Sequence, residues 1–287
     1  MSSSPIKSPK AHDEKLCVNK TASRNSLRVC REFLGKDPIA NILPLGDLYS
    51  PLLQVSDVYS ATQDNETVGV CTICRAFSTP SIVFGAAPLN IKIALFQKAF
   101  IELPNEFISL CNPNDIALFK EHTTILHSHL EQQMVMDSSR QLQHNSIKVE
   151  KIGVNDLPLL SEFYAKHGAR AWTPIQFKVG PYYCVRDNNR IASAAGVHIV
   201  TPQIAQLGNI ITEEAYRNRG FATACTKALT TDLTRKKRIV SLFVRKDNLP
   251  AIHVYEKIGF RKVRDTTFLT MRKINKRSQQ MVKCESV

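Results

Sequence analysis

Arg217-Asn218-Arg219-Gly220-Phe221-Ala222 follows a strand expected at 206–212 and leads into a helical pattern that starts near Phe221. A strand that hands over to a helix through a glycine fixes a βα unit and constrains everything around it. Glycine at that junction admits close approach of a ligand and lets successive N–H groups face one concavity. The helix N-terminus adds partial positive charge and the two arginines add full charges. The hexapeptide is therefore an anion cradle suited to a pyrophosphate. Taken alone, the same residues also suit an Arg/Gly turn that opens an ordinary helix.

Residues 247–260 shift that balance. Asn248 is placed as an N-cap, Pro250 suits the first helical turn and Gly259 suits a left-handed C-terminal position. The spacing predicts a two-turn helix between a strand at 239–244 and another from Phe260 onward. Tyr255 lies two turns past Asn248, so both can face one cleft. A phenol there can give a proton to a leaving group; a buried structural tyrosine is the alternative.

The order strand, R-x-x-G-x-A turn, helix, strand, N-x-x-A-x-x-x-Y-x-x-x-G-F resembles the GNAT superfamily of N-acyltransferases, most clearly over residues 181–271. The resemblance implies an α/β fold with a mixed, mostly antiparallel central sheet flanked by helices and a V-shaped splay between two parallel strands. It also implies acetyl-CoA or another acyl-CoA as co-substrate, an amine as acceptor, and no metal. By the same resemblance, the backbone of Arg217, Asn218, Arg219, Gly220, Phe221 and Ala222 holds the CoA pyrophosphate. Ile210, Ile211 and Thr212 bond the pantetheine arm as an added strand would. Asn248 lines the acyl end, and Tyr255 protonates the departing thiolate. Transfer from a thioester to an amine needs a neutral amine, an in-line approach and a stabilised oxyanion, which strand N–H groups can supply.

The base is less legible. Where several relatives carry a carboxylate on the strand before the turn, this chain has Gln206, which cannot serve. His198, Glu213, Glu214, His253 and a water relay remain, and His198 is the candidate carried forward. A CoA-binding regulatory or scaffold protein with little catalysis is the alternative to an enzyme.

Composition sets the outer limits. The 287 residues are 43% apolar, enough for one large core or two modest ones. No apolar run approaches the ~20 residues that span a bilayer, and no signal segment is evident at the N-terminus. This points to the cytoplasm, with the nucleus left open, and to reduced thiols for the eight cysteines. Cys71 and Cys74 have metal-like spacing but no second pair, and a strand turns them to opposite faces. The net charge of +13 comes from basic runs at helix ends and tails, with no aromatic-interleaved motif for nucleic acid. Attraction of polyanionic CoA is a secondary reading.

The chain also carries one figure twice. Strand, turn, strand at 58–62, 63–66 and 67–71 recurs at 182–185, 186–189 and 190–194, each preceded by a helical stretch. The expected organisation is a basic disordered tail at 1–25, a degenerate GNAT-like half at 26–130, a Gln/Ser-rich linker at 131–146, a catalytic half at 147–274, and a basic tail at 275–287. The first half shows no R-x-x-G-x-A equivalent, and 105–114 offers no glycine-rich turn. Tandem members of the superfamily, with an inactive first half, are what this arrangement resembles. Segment 166–174, with His167, Arg170 and Trp172, is the expected acceptor side, where Trp172 is either a wall or an anchor between the halves. Oligomeric state has no sequence signal.

Overall fold

A computed structural model describes residues 15–136, 146–169, 171–236 and 238–274. The first run is β1 (Cys17–Thr21), α1 (Arg24–Gly35), α2 (Ile42–Asp47), β2 (Ser56–Gln63), β3 (Glu66–Cys74), β4 (Ser81–Phe84), α3 (Leu89–Phe100), β5 (Glu106–Cys111) and β6 (Thr123–Met136). The second is β7 (Glu150–Lys151), α4 (Leu157–Lys166), α5 (Pro174–Phe177), β8 (Tyr183–Asp187), β9 (Arg190–Val200), β10 (Ile204–Thr212), α6 (Phe221–Arg235), β11 (Ile239–Arg245), α7 (Leu249–Ile258) and β12 (Arg261–Lys273). Both expected hairpins form. Asp64 and Asn65 turn the first with φ of 55° and 63°, and Asn188 turns the second with φ of 51°. These are residues that tolerate the left-handed region hairpin turns require.

All twelve strands form one sheet in the order β1-β2-β3-β4-β5-β12-β6-β11-β10-β9-β8-β7. The centre of that order shows an exchange. β12, from the end of the chain, pairs antiparallel with β5 and with β6, while β6 pairs antiparallel with β11. Each run therefore completes the other's sheet with its own last strand. A buried polar network ties the exchange together. The Gln133 amide donates to the Ile39 carbonyl (2.9 Å) and to Ser241 Oγ (3.0 Å), and its oxygen accepts from Arg264 Nε (2.6 Å). Removing Arg264 would leave the oxygen of the fully buried Gln133 without its donor, at a cost of about 1–3 kcal/mol.

Two boundaries differ from expectation. β1 lies inside the segment expected to be a disordered tail and pairs with β2 through Cys17↔Thr62 to Thr21↔Val58. Val18 packs on the first-run core, so the polar composition of 1–25 conceals an edge strand. Likewise β6 continues to Met136, inside the expected linker, with Gln132 and Gln133 buried. Their amides made the stretch read as solvent-exposed. The expected strand at 147–152 is reduced to the two residues of β7. Residues 1–14, the remainder of the linker at 137–145, and the 275–287 tail with Cys284 lie outside the described residues.

Ala224, Cys225, Leu229 and Leu233 of α6 pack on β8–β11 in one core cluster, and α3 packs on β2 and β3 in a second. A third joins the runs: Leu34 of α1 and Ile42 and Leu45 of α2 cluster with Ile199 of β9 and Ile204 of β10. That contact puts first-run residues over the cleft of the second run.

Candidate active site

β10 and β11 pair in parallel only from Ile204↔Ile239 to Leu207↔Leu242, and beyond that they part. The gap opens where β10 bulges. Its register against β9 shifts between Gly208 and Ile211, and Asn209 sits in the shift with φ 52°. The bulge is braced from behind. The Tyr164 hydroxyl donates to the Asn209 carbonyl (2.7 Å), and the Asn209 amide donates to Gln176 Oε1 (2.9 Å). Tyr164 and Gln176 are themselves fully buried, so the kink is held rigidly. Gly208, Ile211 and Thr212 keep their β9 partners, and from Gly208 to Thr212 the other edge of the strand faces the gap without a β11 partner.

The hexapeptide lies at the end of that free edge. Asn218 (φ 62°) and Gly220 (φ 78°, ψ 7°) alternate left-handed with Arg217 (φ −64°), an arrangement that turns N–H groups into one concavity. Gly220 caps α6 without a side-chain bond, and the first intrahelical bond is Ala224 N–H to the Gly220 carbonyl (2.9 Å). The N–H groups of Phe221, Ala222 and Thr223 therefore have no helical acceptor. A side chain at Gly220 would meet only Ile147 Cδ1, at 3.5 Å, so the concavity is open. Tyr216 donates to Asp187 Oδ2 (2.6 Å), stacks near Phe221 and carries the Arg219 guanidinium over its ring at 5.4 Å. Arg217 has no acid partner among the described residues. Cradle, charge and helix terminus coincide.

The matching turn of the first run is built differently. It lies at 85–88, between β4 and α3, and not within 105–114. The N–H of Gly85 is taken by the Val70 carbonyl (2.8 Å), that of Ala86 by Asn41 Oδ1 (2.7 Å), and Pro88 has none. β4 and β5 also splay, pairing in parallel at Ser81↔Ile108 alone.

A cleft of about 750 Å³ runs from the β10–β11 gap across the sheet to the first run. Asn248, Tyr255 and His198 line it, with Gln206 to Ile210. Asn248 caps α7 by accepting from Ala251 N–H (3.3 Å), and Gly259 ends the helix at φ 115°, both as the spacing predicted. α7 thereby aims Tyr255 into the core below the gap. Burial pushes its phenol up to about 12, so it holds its proton throughout the neutral range, and its hydroxyl has no partner among the described residues.

His198 crosses Gly208 so closely that a Cβ there would sit 2.2 Å from Nε2; only glycine fits. Nε2 and Gln206 Oε1 are both buried with no hydrogen-bond partner among the described residues. Burial drives the His198 pKa down to about 4. The imidazole is thus a neutral group with a weak hold on protons. Asp47, another lining carboxyl, is raised to about 7 by burial although Thr72 Oγ1 donates to it at 2.5 Å.

Of the other base candidates, none lines the cleft. Glu213 pairs with Lys166 at 2.5 Å, while Glu214 and His253 are exposed. Trp172 is neither acceptor wall nor anchor between the runs. It packs on Tyr164 (4.8 Å) and Tyr182 (5.2 Å) inside the second run's own cluster with α4. His167 packs on Phe163 (4.7 Å), and Arg170 lies outside the described residues. Cys71 and Cys74 are buried thiols on β3, and the described residues hold no cluster of metal-ligating side chains.

The sequence reading missed three lining residues. His127, His129 and Glu131 alternate along β6 and so share its cleft face. His129 Nε2 lies 2.9 Å from Glu131 Oε1 and its Nδ1 lies 3.3 Å from His127 Nε2. The period-2 spacing of His-x-His-x-Glu was the available signal.

Residues 185–281 match the family model described as FR47-like protein. No curated protein matches the chain by sequence. Among solved structures, the chain is similar to a tandem GNAT protein from the clavulanic acid biosynthesis pathway, with 13% identity, a TM-score of 0.58, and 89% of this chain and 98% of that one covered. It is similar to a Drosophila protein at 10% identity and TM-score 0.69, over 88% and 97%. It is similar also to a GCN5-related N-acetyltransferase from Sphaerobacter thermophilus at 12% and 0.55, over 90% and 95%. The chain has the GNAT fold. It has it in tandem form, as two GNAT-like halves, with FR47-like sequence in the second.

Proposed function

We propose that the protein is an acyl-CoA-dependent N-acyltransferase that moves an acetyl group from acetyl-CoA to an amine by direct transfer through a tetrahedral intermediate. The observation that carries this reading is the β10–β11 gap, whose free strand edge leads from the open cradle of the hexapeptide to Tyr255. Among the described residues the second half alone supplies such a cradle, so the reading has one donor molecule per chain.

In this reading the N–H groups of residues 217–222, with Arg217 and Arg219, hold the pyrophosphate. Ile210, Ile211 and Thr212 receive the pantetheine amides as a sheet edge receives a strand. The thioester carbonyl then lies beside the Asn209 bulge, where a fixed backbone N–H stabilises the developing oxyanion. Tyr255 gives its proton to the departing sulfur. The burial that raises the phenol also raises the proton affinity of a thiolate formed beside it. Asn248 lines the acyl end.

His198 offers its lone pair to the amine but is too weak to strip an ammonium. Against an amine of pKa about 10, a conjugate acid near 4 leaves the transfer uphill by about 8 kcal/mol. Once the nitrogen has bonded to the carbonyl carbon its N–H is far more acidic, and a weak base suffices. The amine must therefore arrive neutral.

The test is amine-dependent thiol release from acetyl-CoA, with Tyr255→Phe beside the parent. The expected result is turnover by the parent and a loss of about 100-fold or more in the variant. An unchanged rate removes Tyr255 from the general-acid role. Stabilisation by acetyl-CoA without thiol release from any amine would instead mark a CoA-binding protein without catalysis.

A further inference from the structure

We propose that His127, backed by His129 and Glu131, is the base that takes a proton from the acceptor ammonium as it enters the cleft. The inference rests on the N-acyltransferase reading and names the residues that meet its unmet demand for a neutral amine.

The tautomers follow from the geometry. An ionised carboxylate only accepts, so Glu131 fixes the His129 proton on Nε2 (2.9 Å). His129 Nδ1 is then an acceptor, and His127 must donate to it from Nε2 (3.3 Å). The lone pair of the string is left on His127 Nδ1. Phe268 of β12 stacks on His129 at 4.8 Å and 18°, which holds the middle ring in plane. His129 and Glu131 are largely covered, while His127 is exposed. The string thus runs from a shielded carboxylate to an imidazole in contact with solvent.

Its place on the sheet suits an entry station. Glu131 is in register with Arg245 at the end of β11, three residues before the Asn248 cap, and His127 lies four residues farther out, opposite Thr270. An ammonium passing inward meets His127 before the apolar part of the cleft, where carrying a charge is costly. The charged groups that face the string are already paired. Arg245 is tied to Asp247 by two bonds (2.9 and 2.6 Å), and Lys246 pairs with Asp265 (3.4 Å). β12 presents Phe268 and Thr270, and β5 presents Ile108 and Leu110, all uncharged.

The protons balance. The ammonium N–H bond breaks and its proton joins His127 Nδ1, while the His127 Nε2 proton passes to His129 Nδ1. The resulting imidazolium is paired with Glu131 and returns its proton to solvent. The neutral amine then forms the N–C bond of the tetrahedral intermediate, and the C–S bond breaks as that intermediate collapses. Tyr255 protonates the sulfur and regains its proton from solvent, while the second amine proton passes to His198 and on to solvent.

The experiment measures kcat/KM for a strongly basic amine and for a weakly basic one that is already neutral, across pH. The parent is compared with His127→Ala and with the milder Glu131→Gln. For the basic amine near neutral pH, His127→Ala is expected to lose about 100-fold, with a smaller loss in Glu131→Gln. The deficit should shrink at alkaline pH and in added imidazole, and be absent for the weakly basic amine. KM for acetyl-CoA should stay unchanged. A deficit equal for both amines and independent of pH, or no deficit, overturns the proposal. Absence of turnover in the parent overturns the enzymatic reading with it, and the acetyl-CoA melting shift reports donor binding separately.

Discussion

Gly220→Glu separates the cradle from the fold. The residue sits at φ 78°, ψ 7°, where any side chain costs roughly 1–2 kcal/mol. The new Cβ meets only Ile147 Cδ1 at 3.5 Å, so no overlap adds to that strain. For a chain of this length the free protein should melt about 2–8 °C lower and remain folded. The effect on binding is much larger. At a ligand concentration a hundredfold above Kd, acetyl-CoA stabilises the parent by about 2.7 kcal/mol, a rise of about 5–10 °C. In the variant a carboxylate occupies the mouth of the nest and repels the pyrophosphate, so the shift should vanish. The assay is a melting curve with and without acetyl-CoA, and Gly220→Ala measures the strain alone in the free protein. A Gly220→Glu protein that keeps the full shift would refute the cradle assignment.

Two predictions concern buried titrating groups in the cleft. His198 falls from 6.5 to about 4 in the folded chain, so the stability it holds is present above pH 6.5 and is lost as pH drops towards 4, by about 3 kcal/mol. His198→Gln should flatten that acid limb in denaturant titrations at several pH values; an unchanged limb would show the imidazole to be hydrated. Asp47 has the opposite sign. Its carboxyl is raised from 3.8 to about 7, so its contribution is present below pH 3.8 and is lost as pH rises to 7. Asp47→Asn should therefore stabilise the protein by a few kcal/mol above neutrality and by little in acid, and a uniform effect across pH would contradict the shift.

Much of the second half was legible because its signals are local. A glycine that must go left-handed, an asparagine cap and a C-terminal glycine each act within one turn of backbone, and all three lie where the spacing put them. The two hairpins were legible for the same reason. The strand exchange was not, because no local pattern in 123–136 or 261–273 says which sheet each strand completes; Gln133 and Arg264 acquire their meaning only through partners far away in sequence. That choice is made by the Gln133–Arg264–Ser241 network and by burial contributed from elsewhere in the chain. The same non-locality set the surroundings of Trp172. Trp172 drew attention as the single tryptophan, yet Tyr164 and Tyr182 enclose it. The cleft face of β6 went unread because its His-x-His-x-Glu alternation straddles the expected boundary at 130/131, with His127 and His129 in the first half and Glu131 in the linker. The turn at 85–88 was overlooked because it lacks the motif, and its engaged N–H groups are visible only as hydrogen bonds.

Hydrogen exchange with and without acetyl-CoA tests the central claim most directly, since it reads backbone amides at the gap and both turns together. The account expects slowed exchange at 208–212 and 217–222, and no change at 85–88. Protection at 85–88, or none across 208–222 while acetyl-CoA is bound, would contradict it.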